Sequence, residues 1–487
     1  MEAWLAAQAR NQPDAVALIE GSQCLSWQAL ARQAGRRAAM LAELGISRGS
    51  LVAVEATSDL ESICWIHAVW WLGACVFPFH PDWPETVLAH RLEDVGPDAV
   101  VTGNPERLKS LPEWLGTQFV NMGLPDKAGE GIAACREVAD SDLLTVLWTS
   151  GSTGAGRPVS LSVANHRASV WAVAERLQLN EQDRWLLCLP LDHIGGLAIL
   201  VRALITGAGV VVHAHFDPER VRADLIEQPI TLASMVPTML ARLLDHHAGP
   251  WSTRLRALLV GGAPATPKLL SRASTAGLSV APTWGMTEAC SQLATLDPGE
   301  RGDTDFEHSP GLVGAPLSGV ELRVVPDADL PEDDGQAGRL LVRGPMLSPS
   351  ITVDDEGWFD TGDVGRIDER GRVIMLHRFR DLIISGGINV HAGEVEQVLR
   401  QCPWIADVAV LGLSHPNWGE QVVAVVVPGD NVPDGSNRGA DLDRWCRSRL
   451  EPAQVPRQWR FVTRLPRTTL GKCRRDALEV LFNQPGD

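Results

Sequence analysis

One feature constrains this chain more than any other: short strand-like runs alternate with helix-like segments. The strand-like runs include SLVAVEA (residues 50–56), DAVVTG (98–103), DLLTVLWT (142–149), GVVVHAH (209–215), ITLASMVP (230–237) and LRALLVGG (255–262). Between them lie segments such as LSWQALARQAGRRAAMLAEL (25–44) and TPKLLSRASTAG (266–277), with apolar residues at helical spacing. Strand and helix in steady alternation build α/β layers. From about residue 311 the texture changes. GVELRVVPDADLPEDDGQAGRLLVRGP (319–345) reads as short strands with acidic turns, a small β-rich subdomain over about 311–379. After Arg378 the pattern is that of a compact α+β unit: a strand pair, a helix from near Ala392, two strands, and a helix at DLDRWCRSRL. The expected organisation is therefore a large N-terminal domain of layered α/β subdomains, residues 1–379, followed by a small C-terminal domain, residues 380–487.

Composition excludes several function classes. The 487 residues are 45% hydrophobic and 21% charged, ordinary for a globular protein that buries a large core. The formal net charge is −17, and no Lys/Arg cluster is long enough to track a phosphate backbone, so nucleic acid is not expected as a partner. Any anionic substrate then needs a local positive site. Nine scattered cysteines without a CxxC pair point to a reducing compartment, hence the cytoplasm, and away from zinc or a disulfide framework. The N-terminal residues 1–21 lack the apolar core of a secretion signal. The most apolar stretch, ICWIHAVWWLGACVFPF (63–79), carries His67 and ends at a proline-containing strand pattern. It falls short of ~20 uninterrupted apolar residues. No membrane span is expected. Seventeen tryptophans stand beside no tyrosine, so a tryptophan can occupy a place where tyrosine is usual.

The stretch TSGSTGAGRP (149–158) has the makeup of a phosphate loop, with three glycines and four hydroxyl side chains in its first eight positions. Gly151 and Gly156 have Walker A spacing, but Arg157 holds the lysine position and Pro158 the position of the Mg²⁺-binding hydroxyl. Proline ligates nothing, which excludes a P-loop NTPase. The loop alone is equally a Gly/Ser connector.

It does not stand alone. TSGSTG after LLTVLW resembles the phosphate loop of the adenylate-forming superfamily, which includes acyl-CoA synthetases, adenylation domains and luciferases. Four further segments match that superfamily in order: PTWGMTEA (282–289), WFDTGD (358–363), HRFRDLIISGGINVHAGEVE (377–396) and LPRTTLGK (465–472). The likeness extends to CLSWQAL, WLGACVFPFHPDWP and the GGAP beginning at Gly261.

The resemblance implies the following roles. Thr149, Ser150, Gly151, Ser152, Thr153 and Gly154 would hold the β- and γ-phosphates of ATP, and Arg157 would be one of the cations between the substrate carboxylate and the α-phosphate. Gly262 and Ala263 would line the adenine site. Trp284, in the usual tyrosine's place, would lie against adenine with Gly285 beside it. Thr287 would contact the α-phosphate and Glu288 would hold Mg²⁺, a cation that takes oxygen ligands. Asp363 would accept from both ribose hydroxyls. Arg378 would reach ribose or phosphate, and Asp381 would sit at the hinge between the domains. Ser385, Gly386 and Gly387 would lie beside the thiol arm of CoA, and Lys472 would supply the mobile catalytic cation. His193, in PLDHIGG, would gate the acyl pocket. Each residue alone has a plainer reading: Glu288 a solvated acid, Asp363 a turn residue, His193 a packed histidine, Lys472 a surface charge. Gly156, Arg157, Asp192 and His377 depart from the family pattern.

HIGGLAILVRALITGAGVVV (193–212) is apolar apart from Arg202. A lone buried arginine is costly unless paired. Arg202 reads either as half of a structural ion pair or as the site for a second carboxylate on the substrate. In compact length, in this basic residue, in ASMVPTMLARLL and in LLVGGAP, the chain resembles the o-succinylbenzoate–CoA ligases, whose substrate has two carboxylates. The resemblance thus implies an ATP- and CoA-dependent acid–thiol ligase acting on a small carboxylic acid. Another acyl- or aryl-CoA synthetase, a stand-alone adenylation enzyme that loads a carrier protein, and a non-catalytic nucleotide-binding relative stay open, as does a homodimer.

Overall fold

The structure is a computed structural model. It describes residues 4–108, 118–123, 131–149, 157–246, 251–263, 265–303, 306–326, 337–378, 382–429, 437–466 and 475–483. The chain divides into two compact units: residues 1–81, 92–148 and 158–377 form one, and residues 82–91, 149–157 and 378–487 the other.

The larger unit contains two sheets. The first has six strands in the order Gln118–Asn121, Ala99–Thr102, Leu51–Glu55, Cys75–Phe79, Leu143–Thr149 and Arg157–Ser162. The first five run parallel to their neighbours. Val52, Ala53 and Val54 are fully buried, as befits a strand covered on both faces. The apolar stretch beginning at residue 63 is a buried helix, Leu60–Trp71, leading into strand Cys75–Phe79, as its proline-terminated pattern indicates. Asp59 caps that helix: its side chain accepts from the Ser62 amide, and the Ser62 hydroxyl accepts from the Asp59 amide.

The second sheet has thirteen strands. Its parallel stretch places Val280–Met286, Ala257–Val260, Leu232–Met235, Arg184–Leu187 and Gly209–Val212 side by side. The motif segments PLDHIGG, GGAP and GMTEA follow the carboxyl ends of three of these strands or close them, which is where open α/β sheets bind ligands. Antiparallel pairing begins already at Val280–Met286 with Ser291–Thr295, ahead of residue 311 where the sequence texture changes. The later strands Leu312–Pro316, Glu321–Val325, Gly338–Arg343, Phe359–Ile367 and Val373–Arg378 continue the same sheet rather than forming a detached one.

The smaller unit is built on a five-stranded sheet with the long strand Gly419–Pro428 at its centre and its hairpin partner Ile405–His415 at one edge. Helices Ala392–Arg400 and Arg438–Arg447 bury Val395, Leu399 and Leu442 against Val408, Val422 and Ala424. Among the described residues, no helix is long and apolar enough to cross a membrane.

His67 sits in the larger unit's core, at a small apolar cavity lined also by Trp4, Trp70, Trp71, Leu144 and Leu204. Its ring meets Trp70 edge-on at 5.3 Å, and its Nδ1 has no hydrogen-bond partner. Burial pushes its pKa down to about 3. The unfolded chain therefore takes up a proton near pH 6.5 that the fold excludes. Stability contributed by this neutral histidine is full above that pH and falls as pH drops toward 3. Between pH 7 and pH 5 this one group should cost about 2 kcal/mol. Urea unfolding at both pH values should show His67→Phe losing about that much less than the unsubstituted protein; equal losses would remove His67 from the acid response.

Candidate active site

The segment PTWGMTEA runs along strand Val280–Met286 into a short 3₁₀ turn, Thr287–Ala289. The backbone here is demanding. Gly285 lies so close to the neighbouring strand that a Cβ on it would come within 1.8 Å of the Ser291 carbonyl oxygen. The turn ends on two consecutive non-glycine residues with positive φ, Cys290 (53°) and Ser291 (105°). Such conformations cost roughly 1–3 kcal/mol each and persist where neighbours hold them. Several neighbours do. The Ser169 hydroxyl donates to the Cys290 carbonyl at 2.7 Å. The Cys290 thiol lies 3.3 Å from His166 Nδ1, and His166 Nε2 lies 2.8 Å from the Thr145 hydroxyl. On the other side, the Ser348 amide donates to the Glu288 carbonyl at 2.8 Å, and the Ser348 hydroxyl donates to the Ser160 carbonyl at 2.7 Å. Thr287 and Glu288 are half-buried. Glu288 offers the oxygen donor that Mg²⁺ requires, on a turn fixed from both flanks.

Trp284 is buried, and its indole N–H donates to Asp363 Oδ2 at 2.8 Å. The residue expected against adenine and the residue expected on ribose are thus one hydrogen-bonded pair. Thr361 orders the same turn, accepting from the Asp363 amide at 3.1 Å and donating to the Leu340 carbonyl at 2.7 Å. Gly262 and Ala263 follow the adjacent strand Ala257–Val260, and Gly262 takes a left-handed φ of 76°. A Cβ on Gly261 would meet the Thr283 methyl at 2.6 Å, so the two strands approach closely just below Trp284.

His193 is the N-cap position of helix Ile194–Thr206 and makes no side-chain cap bond. Its ring is partly exposed, and its Nε2 stands 3.8 Å from the Oδ2 of buried Asp192. Asp192 Oδ1 has no hydrogen-bond partner. Arg202 lies further along the same helix and is 2% exposed. Its Nη2 donates to Ser291 Oγ at 3.0 Å, it stands over the Trp185 ring at 5.7 Å, and its Nε has no partner. Ser291 pairs across the strand with Met286, one residue before Thr287. No carboxylate among the described residues forms an ion pair with Arg202, so the structural ion pair weighed from sequence is not found there. Burial draws its pKa down to about 10, which leaves it a cation at neutral pH.

Thr149 ends one strand and Arg157 begins the next; the Thr149 hydroxyl donates to the Arg157 carbonyl at 3.3 Å. Ser150, Gly151, Ser152, Thr153 and Gly154 between them lie outside the described residues, as do Asp381 and Lys472. Arg378 closes strand Val373–Arg378, its side chain likewise outside them. In the smaller unit, Ser385 ends strand Leu382–Ser385, and Gly386 and Gly387 make the hairpin turn to Ile388–His391, with φ of 63° and 86°. Two consecutive positive φ values are what a tight hairpin turn needs. Ser385 Oγ is buried without a hydrogen-bond partner, and a Cβ on Gly386 would strike Trp418 at 2.8 Å.

This site at the ends of parallel strands is that of a known class: the chain belongs to the AMP-binding enzyme family, whose model matches residues 5–351, while that for the AMP-binding enzyme C-terminal domain matches residues 394–472. The superfamily implied by the five motifs is the one found. Within it, the chain is similar to a 2-succinylbenzoate–CoA ligase of Bacillus licheniformis, 33% identical over 493 residues that span 98% of each chain. It is 31% identical to a ligase of the same name from Bacillus subtilis, over 98% of this chain and 97% of that one. Among solved structures, a double mutant of the Bacillus subtilis o-succinylbenzoate CoA synthetase, bound with its product analogue OSB-NCoA, matches with a TM-score of 0.87 at 30% identity, covering 100% of this chain and 99% of that one. An amide bond synthetase from Marinactinospora thermotolerans matches with a TM-score of 0.86 at 27% identity, covering 99% of each chain.

Proposed function

We propose that this chain is an ATP-dependent, AMP-forming acid–thiol ligase that joins o-succinylbenzoate to CoA, a step of menaquinone or phylloquinone synthesis. The observation that carries the choice of acid is Arg202: a fully buried cation, unpaired by any carboxylate of the described residues, bonded to Ser291, which opens the strand that follows the turn of Thr287 and Glu288. A substrate with two carboxylates gives one to the reaction and the other to this cation. The near full-length similarity to 2-succinylbenzoate–CoA ligases supports the same reading.

In the first half-reaction a substrate carboxylate oxygen attacks the α-phosphorus of ATP and pyrophosphate leaves. Two anions must approach, so positive groups have to lie between them. Arg157 and Lys472 supply them, with the residues from Thr149 to Gly154 cradling the terminal phosphates. Glu288 holds Mg²⁺, which when bound offsets charge on the phosphate oxygens. Trp284 and Asp363 together orient the nucleoside. In the second half-reaction the CoA sulfur attacks the acyl carbon, the thiol proton is released, and AMP leaves. Ser385, Gly386 and Gly387 border the path of the thiol arm, and His193 stands at the acyl pocket. The division of labour between residues 1–379 and 380–487, the hinge at Asp381 and a cytoplasmic setting belong to the same proposal.

A panel of acids with Mg-ATP and CoA, read by AMP release and by thioester mass, tests it. O-succinylbenzoate should be used at least about tenfold better than aryl acids with a single carboxylate, the discrimination a charge-assisted contact provides. Equal use of mono- and dicarboxylates would defeat the choice of acid. No AMP release with any acid would defeat the ligase itself.

A further inference from the structure

The turn that bears Thr287 and Glu288 is tied, through Ser348 and His166, to both strands that flank residues 150–156. Strand Arg157–Ser162 leaves the loop, and its Ser160 carbonyl accepts from Ser348, whose amide holds the Glu288 carbonyl. Strand Leu143–Thr149 enters the loop, and its Thr145 hydroxyl meets His166, whose other ring nitrogen meets the Cys290 thiol. Thr145, His166 and Cys290 are all essentially inaccessible. They span 145 positions of sequence, from the entry strand through the start of helix Val163–Leu177 to the left-handed residue that ends the turn. A side chain that bridges two buried partners on different elements, one of them in a strained conformation, fixes the distance between those elements.

We propose that His166 is a positioning residue for adenylation: through Thr145 and Cys290 it fixes the turn of Thr287 and Glu288 against strand Leu143–Thr149. The contact is all inside the larger unit, and His166 reaches no substrate atom itself. Its effect is on how steadily the turn holds the α-phosphate contact of Thr287 and the carboxylate of Glu288 in place. Misplacement by about 1 Å can cost up to 100-fold in rate. The second half-reaction makes no use of the terminal phosphates, so the relay serves the first more than the second. This inference rests on the reading of Thr287 and Glu288 given above.

The test uses the full-length chain with Cys290→Ala, Cys290→Ser, Thr145→Val and the Cys290→Ala/Thr145→Val double variant. Pyrophosphate exchange is measured against Mg²⁺ concentration, and thioester formation is measured separately from supplied acyl-adenylate and CoA. Cys290→Ala and Thr145→Val should each lower exchange about 10- to 100-fold and raise the half-saturating Mg²⁺ several-fold. Thiolysis should change by less than about threefold, and Cys290→Ser, which keeps a hydrogen-bonding group beside Nδ1, should recover most of the exchange. The double variant should be little worse than the weaker single, because both cut one chain of contacts. Multiplicative losses, an unmoved Mg²⁺ dependence, or equal loss of both half-reactions in step with a lowered Tm would each overturn the relay. Absence of exchange in the unsubstituted protein would instead overturn the ligase reading on which it stands.

Discussion

Lys472→Ala should abolish acyl-adenylate formation while leaving thioester formation from supplied acyl-adenylate largely intact. The reasoning is electrostatic. Two unit negative charges 4 Å apart repel by about 4 kcal/mol at an effective dielectric constant of 20. The carboxylate and the α-phosphate must come closer than that to react. A preorganised donor at that place is worth about 100- to 1000-fold in rate, and loss of Lys472 should be at least of that size. In the second half-reaction the attacking group is a thiol and the acid is already a neutral acyl group, so no such cation is called for. Pyrophosphate exchange and single-turnover thiolysis separate the two. Equal loss of both would argue that Lys472 acts in each, against the role that the segment LPRTTLGK implies by resemblance.

The layered α/β order was legible because strand-like and helix-like runs differ in period and length, and two of the motifs fell where a parallel strand ends. GGAP follows Ala257–Val260 and GMTEA closes Val280–Met286, at the strand ends where open α/β sheets bind ligands. The contacts that hold the site were not legible. Trp284 and Asp363 are 79 positions apart, and His166 and Cys290 are 124 apart; nothing in either local pattern announces its partner. One signal was present. A tryptophan standing for a tyrosine brings an N–H that needs an acceptor when buried, and Asp363, expected in the same site, could have been named as that acceptor. The onset of antiparallel pairing at Ser291–Thr295 was hidden for a similar reason: Cys290 and Ser291 take left-handed backbone conformations that their side chains do not advertise. Arg202 was conspicuous in an apolar helix, yet only the fold shows which groups surround it.

That surrounding separates its two readings sharply. If Arg202 were half of a buried ion pair, removing it would strand a carboxylate and cost about 3–5 kcal/mol of stability. With no carboxylate paired to it among the described residues, and with Nε unsatisfied, the charge itself is a burden on the fold. Arg202→Met, similar in volume and uncharged, should therefore leave Tm unchanged or raise it, since uncharged replacements of buried charges are often neutral or stabilising. The same substitution should lower kcat/KM for o-succinylbenzoate by about 1.5–3 kcal/mol, roughly 10- to 150-fold, the worth of a hydrogen bond to a charged group. Arg202→Ala should show the same loss of activity with some loss of packing. A mono-acid analogue lacking the second carboxylate should be handled alike by the unsubstituted enzyme and by Arg202→Met, because neither has anything to offer it at that place. A buried charge that weakens the fold and strengthens one substrate is retained for that substrate. A fall in Tm with unchanged kcat/KM would return Arg202 to the scaffold and leave the acid to be found by other residues.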